Sequence, residues 1–210
     1  MIQRDQDYWN EYYRQKRAED HPSLFARYVM SRLGAGQNLI DLGCGNGRDA
    51  LYFCHSLIDV TAVDQSDIGI TMIRDVEPEK INCVCGDITK LSSFLDESSF
   101  DNAYSRFSIH ALTEAQQRDL LKEVSAVLKP GGKFWIEVRG VKDNLFGVGE
   151  VVGRNAYIHD GHYRRFIVIN ELVHELEVAG FEIVYAEEST GFAPYREEDP
   201  VVIRVTASKK

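Results

Sequence analysis

From residue 38 onward, short apolar runs alternate with segments whose apolar positions recur every three or four residues. The runs predict strands at 38–43, 58–64, 80–85, 100–107, 132–138, 181–187 and 201–207. The longer periodicity predicts helices at 47–56, 67–76, 114–128 and 170–179. Strands apolar on both faces, separated by helices, imply a parallel sheet covered on both sides. Thr113 followed by Gln116 predicts a capping box, after which Leu120, Leu121, Val124, Val127 and Leu128 keep helical spacing. Lys129-Pro130-Gly131-Gly132 stops that helix and turns the chain into the next strand. Gly180 falls where a helix-ending glycine belongs, after a face formed by Ile169, Leu172, Val173 and Leu176.

Two segments break the alternation. Residues 1–33 read as helical and aromatic, with Trp9, Tyr12 and Tyr13 at i, i+3 and i+4. Core packing is the default for such a stripe. The alternative is an aromatic cap over a bound cation. Residues 139–166 read as a long, irregular, glycine-containing insertion, the usual form of a binding loop. We take residues 1–210 as one domain, with 1–33 as a helical cap and 139–166 as a substrate-side insertion.

The chain carries 24 Lys+Arg against 33 Asp+Glu, a net charge of −9. Nucleic-acid binders show the opposite balance, so we expect no nucleic-acid partner. Residues 139–165 depart from the acidic body, with five Lys/Arg against three Asp/Glu. No apolar run approaches the ~20 residues of a membrane span, and the first residues show no secretory signal. Cys44, Cys54, Cys83 and Cys85 form no zinc-type spacing. They read as buried free thiols of a cytoplasmic protein, and no metal is expected.

Leu39-Ile40-Asp41-Leu42-Gly43-Cys44-Gly45-Asn46-Gly47 is a strand running into a glycine-rich turn and a helix. Such a turn lets a ligand approach the backbone closely, at the carboxyl edge where open α/β sheets bind ligands. A dinucleotide fingerprint, G-x-G-x-x-G, would need its third glycine at position 48, which is Arg48. Asp64 ends the second strand about 20 residues on, placed for a ribose diol. That position suits any adenosine-type ligand.

These residues resemble the class I S-adenosylmethionine-dependent methyltransferases. Asp41 to Gly47 is similar to the family's first motif, and Asp64 to its ribose-holding acid. Cys85-Gly86-Asp87-Ile88 resembles the motif whose Asp reads the adenine. Phe100 to Phe107 resembles the fourth-strand motif, and Leu128 to Lys133 the turn before the fifth strand. The resemblance covers residue 38 to the end. It implies a Rossmann-like α/β fold: a seven-stranded, mostly parallel sheet with helices on both faces and the last strand antiparallel. It implies S-adenosyl-L-methionine as cofactor, held by Asp41, Gly43, Gly45, Gly47, Asp64, Gln65, Asp87, Ile88 and Ser105. Asp41 either binds the cofactor directly or orients the loop.

On the acceptor side, His110 follows the fourth strand at the ligand edge, where a near-neutral pKa suits a general base. Arg106 beside it either meets the substrate or pairs with an internal acid. Ile158 to Phe166 places His162, Tyr163, Arg164 and Arg165 together. Arginine forks suit carboxylate or phosphate. With Arg139 they suggest an anion pocket, although strand alternation lets only one of Arg164 and Arg165 face a given ligand. We assign His110 and Tyr163 to catalysis, and Arg139, His162, Arg164 and Arg165 to the substrate. Pro22 to Ala26 and Gly161 to Phe166 are similar to bacterial methyltransferases of cell-surface saccharide assembly or tellurite resistance. The expected activity is O-methylation of a small polar, anionic acceptor, a sugar or sugar phosphate foremost. A thiol- or metalloid-methylating enzyme and a non-catalytic cofactor-binding protein are the alternatives.

Overall fold

The computed structural model describes residues 3–15 and 21–210; the rest of the proposed 1–33 cap lies outside the described residues. The chain forms α1 (Gln3–Gln15), α2 (Leu24–Met30), β1 (Asn38–Leu42), α3 (Arg48–His55), β2 (Asp59–Asp64), α4 (Asp67–Val76) and β3 (Ile81–Cys85). Then come β4 (Phe100–Arg106), α5 (Glu114–Val127), β5 (Leu128–Arg139), β6 (Glu150–Gly153), β7 (Ala156–His159) and β8 (His162–Arg165). The last elements are α6 (Ile169–Val178), β9 (Phe181–Ser189) and β10 (Val202–Lys209).

The main sheet has seven strands in the order β3-β2-β1-β4-β5-β10-β9. Strands β1 to β5 pair in parallel, and β10 runs antiparallel to both β5 and β9. Helices α2, α3 and α4 bury Phe25, Ala50, Phe53, Ile70 and Ile73 against one face, with Leu39, Val60 and Tyr104. Helices α5 and α6 bury Leu120, Val124, Leu172 and Leu176 against the other, with Ile40, Leu42 and Ile136. Each fully buried Leu or Ile of this kind contributes about 1.5–3 kcal/mol. That double burial explains why the strands read as continuous apolar runs. The capping box at Thr113 forms as its spacing predicts, and Gly180 takes φ 93° after α6.

Two details differ from the sequence reading. Strand β5 begins at Leu128, because Leu128 pairs with Phe100 before the Pro130–Gly132 bulge and the register resumes at Lys133 opposite Asn102. The 139–166 insertion is not irregular: β6, β7 and β8 form a three-stranded antiparallel sheet. Its second turn is Asp160-Gly161, both at positive φ, closing the pair His159 opposite His162. Asp-Gly between strands is a strong hairpin signal. The four-residue strands hid it from a reading based on longer periodicity.

Strand β1 lies between β2 and β4, so the chain order reverses at their carboxyl ends. A crevice opens at such a point. Helix α1 and the small sheet lie over it.

Candidate active site

A cavity of about 830 Å³ occupies that crevice. It is walled by the ends of β1, β2, β4 and β5, by α1, by β8 and by the 193–200 loop. Its two ends differ in charge.

The first end is built on the glycine turn. Asp64 Oδ2 accepts from the Gly45 amide at 2.9 Å, and Oδ1 from the Ser66 amide at 2.8 Å. Ser66 itself caps α4, so Asp64 is not the helix cap; it clamps the turn. A Cβ on Gly45 would stand 2.4 Å from the Tyr13 phenol oxygen, so only glycine lets α1 seat there. Burial pushes Asp64 up, against the pull of its amide donors. Burial, then the charges of Asp49 and Asp64, pushes the Asp41 carboxyl well above the usual carboxylate range. Asp49 is saturated: Ser23 N, Ser23 Oγ and Tyr104 Oη donate to it at 2.8, 2.7 and 2.8 Å, and Arg48 Nε at 3.2 Å. That bonding fastens α2 to the sheet beneath the cavity. Two of these buried acids, Asp41 and Asp64, make no salt bridge among the described residues, so a cationic ligand beside the glycine turn would offset their mutual repulsion.

Several residues expected at this end stand elsewhere. Gly47 does not line the cavity; it starts α3 at φ 86° and lies against Ile73. The Asp87 carboxylate caps the following 3-10 segment, accepting from Thr89 N and Oγ1 at 2.9 and 2.7 Å. Its neighbours Gly86 and Ile88 line the cavity in its place, with Gln65. Ser105 is buried in β4 outside the lining.

The other end is basic and aromatic. His110, in a 3-10 turn after β4, is 5% exposed, and His162 on β8 is 7% exposed. Among the described residues, His110 Nδ1, His162 Nε2 and Arg164 Nε are buried without a hydrogen-bond partner. Burial, then the charges of Arg164, His162, Arg139 and Arg106, holds His110 well below its usual pKa. Burial and Arg164 hold His162 down to about 4. Both imidazoles are therefore neutral at neutral pH. Arg139 also lines this end, paired with Asp143 at 2.6 Å.

Strand alternation divides the 162–165 cluster. His162 and Arg164 face the cavity; Tyr163 and Arg165 do not line it. Arg165 donates instead to Leu112 O at 2.9 Å and Gln117 Oε1 at 2.5 Å, tying β8 to α5. The catalytic assignment of Tyr163 and the substrate assignment of Arg165 are corrected accordingly.

Trp9, Tyr12 and Tyr13 are not core residues; with Tyr8 they form the cavity wall. Gln6 donates to Gln65 O at 2.9 Å, while Asn10 donates to Asp67 at 2.7 Å and accepts from Ser66 Oγ at 2.6 Å. The same helix stacks Tyr8 on His162 at 4.9 Å and sets Trp9 edge-on to it at 5.0 Å. The sequence reading passed over Tyr8, Asp49 and Phe107. The one signal for Tyr8 was its place in the aromatic helix, four residues before Tyr12. The cysteines are free, but Cys85 is exposed and Cys44 and Cys83 are half-buried, so only Cys54 is the buried thiol expected.

Residues 40–136 match the family model described as a methyltransferase domain. An uncharacterized methyltransferase of Synechocystis is 29% identical over 104 residues, 49% of this chain and 47% of that protein. A ubiquinone biosynthesis O-methyltransferase of Coxiella burnetii is 26% identical over 187 residues, covering 85% of this chain and 78% of the relative. This chain spans about half, or less, of the length of the first curated relatives it matches. The fold matches the Burkholderia thailandensis 1,6-didemethyltoxoflavin-N1-methyltransferase, solved with S-adenosylhomocysteine. That match has a TM-score of 0.69 and 23% identity, and covers 91% of this chain and 80% of the other. The motif order and the strand order agree with that match, and together they support a class I S-adenosylmethionine-dependent methyltransferase.

Proposed function

We propose that this chain transfers the methyl group of S-adenosylmethionine to an oxygen of a small polar, anionic acceptor, a sugar or sugar phosphate foremost. The observation that carries the reading is the reversal of charge along one cavity. Asp41, Asp49 and Asp64 gather at the glycine turn, where Arg48 pairs with Asp49; Arg139 and Arg164 stand with His110 and His162 at the other end, and Arg106 between them acts on Asp41, Asp49 and His110. S-adenosylmethionine supplies a methyl group already activated on a sulfonium. Asp64, Asp41 and the Gly43–Gly45 turn would hold it, and the chain's own work is then orientation and exclusion of water. His110, neutral and with its Nδ1 unpartnered, is suited to take the proton that an acceptor hydroxyl sheds. Arg164 and Arg139 would orient the anionic part. The Coxiella relative is named for O-methylation, which supports oxygen as the acceptor atom. No helix among the described residues is long and apolar enough to cross a membrane. Four free thiols suit a reducing compartment, and we place the reaction in the cytoplasm.

The test uses methyl-labelled S-adenosylmethionine with host extract split into small-molecule, glycan, RNA and protein fractions. Label in a phosphorylated metabolite or polar glycan is expected, and label confined to RNA or protein would sink the acceptor class. With the acceptor in hand, Arg164→Ala should raise its KM about tenfold or more and leave cofactor affinity unchanged. Unchanged acceptor kinetics would remove the anion pocket.

A further inference from the structure

The acceptor end holds more positive charge than its own acids neutralise. Asp143 bridges Arg139. Glu137 is shared: Arg106 Nε donates to one oxygen at 2.9 Å and Arg204 Nε to the other at 2.7 Å. The three side chains meet because the strand register sets Arg106 beside Glu137 and Glu137 beside Arg204. Burial pushes Glu137 up, and the two guanidiniums oppose that rise. One carboxylate can balance only one of its two arginines, so the triad keeps a positive charge. Arg204 is buried and also donates to Phe192 O. Arg106 lines the cavity, so the surplus is presented there, where the buried Asp41 and Asp49 of the glycine turn also feel it.

A second uncompensated charge stands on Arg164. Among the described residues it makes no salt bridge, and its Nε is buried without a partner. The acids that act on it make no contact: Asp143 already bridges Arg139, and Asp160, beyond it on the hairpin turn, is exposed to water. Both guanidiniums act on His110, whose ring packs against Phe107 at 5.7 Å. Phe107 holds a left-handed backbone at φ 55°. That conformation costs about 1–3 kcal/mol for a non-glycine residue and clusters at functional sites. It places the Phe107 ring 4.3 Å from the Arg106 guanidinium and 5.4 Å from that of Arg139.

We infer that Arg106, held by Glu137 and Arg204, is a ligand-binding arginine that with Arg164 seats a doubly charged anion, a phosphate monoester. This deepens the acceptor reading above and rests on it. A carboxylate would balance one of the two charges and leave the other buried and unpaired. A phosphate monoester carries about −1.5 to −2 at neutral pH, with three terminal oxygens to share between two forks. The unpartnered His110 Nδ1 and His162 Nε2 lie at the same end, within the protected space such a group would fill.

The test is calorimetric titration of the S-adenosylhomocysteine-saturated protein with inorganic phosphate, methylphosphonate and acetate at low salt. Phosphate and methylphosphonate should bind at least tenfold more tightly than acetate. Their affinity should rise from pH 6 to 8 as the second ionisation completes. Arg106→Gln and Arg164→Gln should each lose that binding tenfold or more and keep S-adenosylhomocysteine affinity. Glu137 keeps Arg204 in the first variant, and Arg164→Gln breaks no salt bridge, so the pair does not depend on one variant folding. Acetate binding as tightly as phosphate would overturn the double charge. Arg106→Gln weakening S-adenosylhomocysteine but not 5′-methylthioadenosine, which lacks the amino-acid tail, would assign Arg106 to the cofactor and overturn the seat. Anion binding is read apart from turnover. Phosphate bound at these arginines, with methyl transfer only to uncharged acceptors, would keep the seat and sink the acceptor class proposed above.

Discussion

His162 concentrates the chemistry of the site in one side chain. An imidazole in the unfolded chain titrates near 6.5; here burial and Arg164 hold it near 4. Between those values the unfolded chain binds a proton that the folded chain does not. Stability therefore falls as pH drops from about 6.5 towards 4, by on the order of 3 kcal/mol. His110 shifts in the same direction and adds to the loss. In His162→Gln the pH dependence should flatten: thermal melts at pH 7.5 and 5 should differ less than in the parent chain. Equal differences would show that His162 does not titrate as its surroundings require. The residue types at this end were legible in the sequence, since His110, His162, Arg139 and Arg164 all line the cavity. Asp49 was not, because its role depends on Ser23 and Tyr104, which are 26 and 55 residues away in the chain.

At the scale of elements, β8 shows what alternation settles. His162 and Arg164 point to the cavity, and Arg165 points to α5. Gln117 passes the connection on to Glu175 of α6 at 2.5 Å. The Arg154 side chain, before β7, adds ion pairs to Glu171 and Glu114. The small sheet is thus braced on two helices of the main fold. Arg165→Met should lower stability by about 1–3 kcal/mol, since it leaves Leu112 O and Gln117 Oε1 without their donor. Anion binding at the acceptor end should persist in the folded fraction. Denaturant melts read the first effect and calorimetry the second; intact stability would deny Arg165 its bracing role. Periodicity located the helices and main-sheet strands within a few residues. It missed β6 to β8, whose four-residue lengths leave too few repeats to reveal a period.

Over the whole molecule, α1 joins the two ends of the cavity. Its polar side, through Gln6 and Asn10, binds the β2–α4 connection next to Asp64. Tyr8 and Trp9 pack on His162 of the small sheet. A ligand that settles at the glycine turn therefore acts on the helix that walls the acceptor end. The chain has two tryptophans. Trp135 is 5% exposed and fixed to Asn102 at 3.0 Å, so it should report little. In a Trp135→Phe background, S-adenosylhomocysteine should shift or quench Trp9 emission, and Asn10→Ala should weaken that response. An unchanged Trp9 spectrum at saturation would mean that α1 does not sense the cofactor end.

The sequence by itself determined the alternation of strands and helices, the glycine turn, the ends of α5 and α6, and the motifs that resemble a methyltransferase. These depend on neighbours within a few residues: spacing of apolar positions, a capping pair, glycines where φ is positive. Tertiary structure alone decided which alternate side chains turn inward. Alternation gives parity along a strand, but pairing and packing choose the face. It also decided that Asp87 caps a turn and that Glu137 lies between two arginines. Those partners come from strands and turns far apart in the chain, and only the sheet's register brings them within hydrogen-bond reach.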